Sequence, residues 1–422
     1  MHVRELLEEA KRLAAERRIE EAKSAYIVAL RHDPGNVDAM TGLGALLATI
    51  GMIAEARVVL EETLRLHPTQ ADAHRFLVVV FAALGDQAAA DVHSKQEFAL
   101  RPIHVVPFAG TGNPVRLLIV VAAAGINTRT ARFCDRRLFE TITVAAEFIG
   151  DAAPIPAHDV VFNAIGEAEG TAAIAAAQRF IARTDRRILN RPATIRATSR
   201  VENAARLGAL PGVVTARTLR VARSRAVDPA LARELGLPFL LRVPGHHTGE
   251  YFERVDDPAQ LDAALAHLPG EELLAMSFLD ARDAEGRYRK FRVMIVDGKL
   301  YPLHAAVGTT WKLHFFSGTH GEQERTLDEA FLADPQAVIG ARAMSALHAI
   351  AGVLKLDYGG IDFAVDAAGN VLVFEANATM TVPEADLDPR FAYRTKALDA
   401  VADAVMRMFI TSARCGGSAE SA

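Results

Sequence analysis

The chain has 422 residues, half of them hydrophobic, and a formal net charge of −5. That supplies cores for roughly two to four structural units and gives no case for nucleic acid as the main partner. Two cysteines cannot build a disulfide framework, the charged N-terminus lacks the apolar stretch of a secretory signal, and the longest apolar run, Leu117 to Ile126, is too short for a bilayer, so a soluble cytoplasmic protein is expected, with no membrane partner.

Residues 3 to about 102 repeat with a period of 34. Pro34, Pro68 and Pro102 are equally spaced, as are Ala22, Ala56 and Ala90, and Ala10, Gly44 and Val78. Gly51 and Gly85 keep the period, with Arg17 in the corresponding place of the first repeat. Each unit holds two amphipathic helical patterns split by a short turn, as in RRIEEAKSAYIVAL and GMIAEARVVLEETL. Period, small residues at helix crossings and the closing proline together resemble the tetratricopeptide repeat. The resemblance implies an all-α solenoid over residues 1–104, in three repeats. Its concave surface would hold a peptide or protein partner; a packing or homodimerisation role is the alternative.

Residues 105–114, rich in Gly and Pro, read as a linker. Strand patterns follow at Val115 to Ala124, Thr141 to Phe148 and His158 to Glu167, and then a helix from Gly170 to Thr184. This alternation predicts a small parallel α/β unit over 115–190. Ligands in such units bind beyond the carboxyl ends of the strands. Asn127, Asn163 and Glu167 sit there, either facing substrate or solvating loops.

Arg191 to Leu219 holds a helix, a Pro-Gly break and a β-rich run. A strand carrying Arg242 precedes a Gly-bounded loop, Gly245 to Gly249, whose backbone N–H groups could close over phosphates. His246-His247 suggests zinc, but no other nearby set has metal-ligand spacing. Leu273 to Asp280 reads as a strand ending in a hinge, and Lys290 to Val307 as a hairpin around Asp297-Gly298. Trp311, the sole tryptophan, reads as a packing residue. Asp334 to Lys355 is a helix leading into a second hairpin, Leu356 to Met380. If Asp366 pairs with Val371 there, Asp362 falls across from Glu375 and Asn377 opposite Gly360. Two carboxylates so placed have Cβ atoms about 4.5–5.5 Å apart and repel. A hard cation with oxygen ligands relieves the repulsion; a solvated face with incidental acids is the other reading. A closing helix spans Ala397 to Phe409, and 413–422 reads as a disordered tail.

The hairpin sequence GIDF…VFEAN, with Asp, then Glu thirteen residues on and Asn two further, resembles the metal-binding end of the ATP-grasp superfamily. DVVFN and ILNRP upstream resemble the domain that precedes the nucleotide-binding part in its carboxylate–amine ligases. The implied fold is an all-α repeat solenoid, an α/β pre-ATP-grasp domain and an α+β ATP-grasp domain over 191–412. The resemblance implies Mg²⁺, or Mn²⁺ in its place, on Asp362, Glu375 and Asn377, bridging the phosphates of ATP. It places Arg200 and Arg242, where the family usually has Lys, and Gly245 and Gly249 at the phosphates. Backbone groups of Met276, Ser277, Phe278 and Leu279 would read adenine, and Asp283 is a candidate for the ribose. Arg292 and Lys312 would face the transferring phosphoryl or acyl group. The implied reaction joins a carboxylate to an amine through an acylphosphate, releasing ADP and phosphate. A kinase, a nucleotide-binding regulator with a decayed site, and a repeat scaffold are the alternatives.

Overall fold

The computed structural model describes residues 2–168, 171–246, 249–313, 321–383 and 388–415. His247 of the zinc reading and the tail from Gly416 lie outside the described residues.

Six helices carry the repeats: α1 (Val3–Ala15), α2 (Ile19–His32), α3 (Val37–Thr49), α4 (Ile53–Leu66), α5 (Ala71–Ala83) and α6 (Gln87–Leu100). The odd and the even helices each restart every 34 residues, so the period of the prolines is the period of the structure. The turn inside each pair needs one residue with positive φ, and Arg17, Gly51 and Gly85 take it at 59°, 82° and 76°. Glycine enters that region without a Cβ penalty, which explains its recurrence. Ala10, Ala22, Ala56 and Ala90 are buried in the core of the array. Gly44 is required where it stands, because a Cβ there would lie 2.5 Å from Leu60 Cδ2. These helices belong to one compact unit, Met1–Val105 with Ala122–Gly125 and Thr143–Ala153. Two segments of the predicted α/β stretch thus group with the helices, and the boundary near residue 104 is not a single cut.

The α/β stretch comprises β1 (Ile103–Val106), β2 (Val115–Val121), β3 (Phe139–Ala145), β4 (Val160–Asn163), α7 (Thr171–Ile181) and β5 (Ile188–Leu189). β4 pairs in parallel with both β2 and β5, and α7 supplies the crossover that a parallel β4–β5 pair requires.

Helices α8 (Pro192–Arg196) and α9 (Arg200–Leu207) lead to β6 (Val213–Thr215) and β7 (Thr218–Ala222). Next come α10 (Arg223–Ala226), α11 (Pro229–Leu235), β8 (Phe239–Arg242), β9 (Phe252–Val255), α12 (Leu261–Ala266) and β10 (Glu272–Ser277). Four of these strands form an antiparallel sheet of order β7-β10-β8-β9, over its own core around Leu231, Leu241 and Leu273. Strands β11 (Tyr288–Val296) and β12 (Lys299–Gly308) make the hairpin expected at Asp297-Gly298, both of which have positive φ. Then follow α13 (Glu322–Ala333), α14 (Pro335–Leu354), β13 (Tyr358–Val365), β14 (Val371–Asn377) and α15 (Thr395–Cys415). The last sheet has the order β12-β11-β13-β14-β6, with β6 parallel to β14.

One helix departs from the sequence reading, and α14 keeps its expected bounds. α15 continues to Cys415, so residues 413–415 of the expected tail are helical. α14 is long and apolar enough to cross a membrane by length and composition. Yet Ile339, Ala343, Leu347, Ile350 and Leu354 are buried along it, and it packs on β12 and β14 as a core helix. Leu117, Ile119 and Phe162 of the α/β strands share a core with Met294, Leu303 and Tyr358 and with Val401, Val405 and Phe409 of α15. Strands β2 and β4 are therefore packed into the same body as the last sheet.

The second hairpin reaches the expected register by another route. Val365, not Asp366, pairs with Val371. Asp366 instead closes the turn, its Oδ1 accepting from the backbone N of Ala368 and Asn370 at 2.9 and 2.8 Å. A bulge between Asp362 and Phe363 then shifts the pairing by one residue. Asp362 therefore lies opposite Glu375, and Gly360 opposite Asn377.

Candidate active site

One row of paired residues crosses the last sheet: His304 on β12, Arg292 on β11, Asp362 on β13 and Glu375 on β14. Asp362 is 1% exposed. Its Oδ1 accepts from Arg292 Nε at 2.5 Å and its Oδ2 from Arg292 Nη2 at 2.8 Å. Lys290 Nζ lies 2.5 Å from the same Oδ2. Lys290 precedes Arg292 by two residues on β11, so alternation puts both on one face. Glu375 Oε1 accepts from Arg200 Nη2 at 2.5 Å and from Asn377 Nδ2 at 2.9 Å. Arg200 opens α9, whose Ser199 cap accepts from Glu202 N. Asn203, one turn on, donates to the carbonyl of Ala376 at 2.6 Å and ties the helix to β14.

The repulsion anticipated between the two acids is thus relieved by the protein's own cations. Burial alone would push the Asp362 carboxyl up, but the Arg292 and Lys290 charges outweigh it and hold it well below the usual carboxylate range. Burial, aided by the Arg292 charge, pushes the His304 imidazole well below its usual value. His304 therefore adds no charge to the row near neutral pH.

A cleft opens beside this row. Arg200, Asn377, Gly245 and His246 line it together with Glu167, and so do Thr198, Ser199 and Thr379. Gly166 comes so close to Thr379 that a Cβ would meet its Cγ2 at 2.8 Å. Three of the residues expected at phosphates or metal, Arg200, Gly245 and Asn377, thus meet at one place. Glu167 joins them, as one of the two readings of the strand ends expects. Asn163 does not: it is buried, and its Nδ2 donates to the Asn190 carbonyl at 2.9 Å.

Other expected site residues have different immediate partners. Arg242 is buried at the end of β8, donates to the His246 carbonyl, and lies over the Phe252 ring at 5.1 Å. It braces the loop entered at Gly245, whose φ is 74°; Gly249, at 79°, lies on its far side. Lys312 Nζ donates to the Phe252 carbonyl on β9 at 3.2 Å. Met276 and Ser277 end β10; Ser277 N donates to the Arg217 carbonyl at 2.9 Å and its Oγ accepts from Arg217 N at 2.9 Å. Phe278, Leu279, Phe252 and Trp311 pack against Met276, Ala216 and Leu240. The Trp311 ring meets Phe252 edge-on at 5.1 Å, the packing role expected of it. Asp283 serves its own loop, where Oδ1 accepts from the backbone N of Glu285 and Arg287, and Oδ2 pairs with Arg287 and Arg289. These bonds close a turn and leave the expected ribose role of Asp283 without support.

Asp362, Glu375 and Asn377 can be tested as metal ligands on their present bonds. Two carboxylates and an amide are the donor chemistry of a hard cation, and each carboxylate oxygen has two lone pairs. Asn377 Oδ1 accepts from Thr379 N at 3.0 Å and Thr379 Oγ1 at 2.8 Å, so both its lone pairs are engaged and the Thr379 hydroxyl would have to turn away for this oxygen to reach a metal. The set fits Mg²⁺ in composition, and the Lys290 ammonium stands at Asp362 Oδ2. Among the described residues no group of three or more His, Cys, Asp or Glu converges as a metal site, which leaves the zinc reading at His246 unsupported.

Residues 13–90 match the family model for the tetratricopeptide repeat. The helical array carries that repeat. No curated protein matches the chain. Among solved structures, the chain is similar to D-alanine–D-alanine ligase from Bacillus anthracis complexed with ATP: 14% identity, TM-score 0.47, covering 72% of this chain and 98% of that one. It is similar to VanG D-Ala:D-Ser ligase from Enterococcus faecalis at 11% identity and TM-score 0.46, covering 70% and 100%. A third likeness is to the RimK domain protein ATP-grasp from Sphaerobacter thermophilus, at 15% identity and TM-score 0.44, covering 71% and 100%.

Proposed function

We propose that the part of the chain after the repeats is an ATP-grasp carboxylate–amine ligase. The observation that carries this reading is the row Arg292–Asp362–Glu375, whose Glu375 pairs with Arg200, a residue that lines a cleft together with Asn377, Gly245 and His246. Two adjacent carboxylates flanked by cations beside a polar cleft suit a polyphosphate with its metal. Mg²⁺ held by Asp362, Glu375 and Asn377 would supply positive charge across the phosphate oxygens.

Arg292 and Arg200 are the side chains that would balance charge on the transferring phosphoryl group, each held in place by its carboxylate. Arg242 acts one step back, fixing the Gly245 loop through the His246 carbonyl. The substrate carboxylate oxygen would attack the γ-phosphorus and release ADP. The amine would then add to the acylphosphate carbonyl, lose a proton and expel phosphate. No nucleophilic side chain is required. We assign the repeats to holding a peptide or protein partner, a reading supported by the match of residues 13–90 to the tetratricopeptide repeat.

Product analysis tests the reading. Incubation with Mg·ATP and panels of acids and amines is expected to give ADP, phosphate and an amide in equal amounts. A phosphate ester with ADP would instead identify a kinase, and AMP with pyrophosphate an adenylating enzyme.

A further inference from the structure

Lys290 stands against the charged row through Asp362, and the ligase reading leaves its role open. Its side chain is 17% exposed and its ammonium touches a carboxylate that is 1% exposed. Among the described residues, three cations, Lys290, Arg292 and Arg200, pair with two carboxylates, Asp362 and Glu375. Of these five side chains, cations outnumber carboxylates by one, and Glu167 lines the cleft beside Arg200. Arg292 lies directly across the strand pair from Asp362 and grips it with two bonds of a planar fork. Lys290 makes one contact through a compact charge on a flexible stem, so it is the cation that can leave.

We infer that Lys290 makes this site reject a bare divalent cation and accept one only together with its anionic nucleotide. This rests on the metal-site reading above. A divalent ion approaching Asp362 alone would meet an ammonium at that carboxylate, in a site where screening by water is weak. An ion arriving on a polyphosphate brings compensating negative charge, and the same ammonium then has a phosphate oxygen to turn to. Lys290 is thus a positioning and selectivity residue, and its displacement couples metal entry to nucleotide entry.

The test is Mn²⁺ binding to the full chain, read by the electron paramagnetic resonance of free Mn²⁺, with and without a non-hydrolysable ATP analogue. Wild type is expected to bind Mn²⁺ alone much more weakly than with the analogue. Lys290→Met should bind Mn²⁺ alone about tenfold tighter than wild type or better, the effect of removing one like charge at close range. Lys290→Arg, which keeps the charge, should stay weak. Lys290→Gln, which keeps a polar contact to Asp362, should behave as Lys290→Met and covers a Met variant that does not fold. Tightening absent from both neutral variants overturns the inference and leaves the ligase reading standing. Wild type that binds no Mn²⁺ even with the analogue overturns both.

Discussion

Glu375→Gln is expected to lower ADP release by about two to three orders of magnitude, the scale of losing one preorganised electrostatic group at a reacting centre. The carboxylate is one of two that would face the metal, and an amide in its place brings an oxygen but no negative charge to offset the cation. Fold stability should change far less. Glu375 is only partly buried, and its Oε1 accepts from Arg200 and Asn377. Gln keeps an acceptor oxygen for both, so a loss of about 1 kcal/mol is expected. Two acids that merely repelled each other would predict almost no cost; the Arg200 pairing is why some cost remains. Steady-state ADP release and urea unfolding measured on one preparation check both halves. Near-normal turnover in a folded variant would remove Glu375 from the site.

Asp362→Asn carries the larger stability effect. It leaves Arg292 and Lys290 beside each other with no carboxylate between them, in the interior of the sheet. Removing one partner of a buried ion pair costs about 3–5 kcal/mol, because the remaining charge is uncompensated. Adding Lys290→Met to Asp362→Asn should recover part of that loss, and the coupling in the double-mutant cycle measures the contact. The pH dependence has a definite sign. Because the Asp362 carboxyl is held below its usual range, its contribution is present at neutral pH and down to the unfolded-state value. It is lost only as pH falls through the folded-state value, so the gap between wild type and variant should persist at pH 5. A gap that closes between pH 7 and pH 5 would contradict the pairing.

Much of this architecture is legible in the residues because it is periodic. The 34-residue spacing of small residues and prolines sets the restart of all six helices, and Arg17 takes the same left-handed turn as Gly51 and Gly85. Alternation in the GIDF…VFEAN hairpin places Asp362 opposite Glu375. What alternation cannot register is the bulge beside Asp362 and the Asx-closed turn at Asp366, two one-residue shifts that cancel. Lys290 is absent from the site expected of the sequence, although its signal is there, two residues before Arg292 on the same strand face. Lys312 and Arg242 are harder cases. A pattern shows that a cation is nearby, but not that a backbone carbonyl of Phe252 or His246 has engaged it. Asp283 likewise looks solvated in its loop until its bonds to Arg287 and Arg289 are seen.

The central claim is that ATP activates a substrate carboxylate, and trapping by hydroxylamine tests it most directly. With Mg·ATP and the cognate acid, hydroxylamine should replace the natural amine, because the cations of the row act on phosphoryl transfer and not on the later nucleophile. The expected result is the hydroxamate of that acid, formed in step with ADP and phosphate and abolished by Glu375→Gln. A stable phosphate ester with no hydroxamate, or AMP and pyrophosphate in place of ADP, would contradict the account.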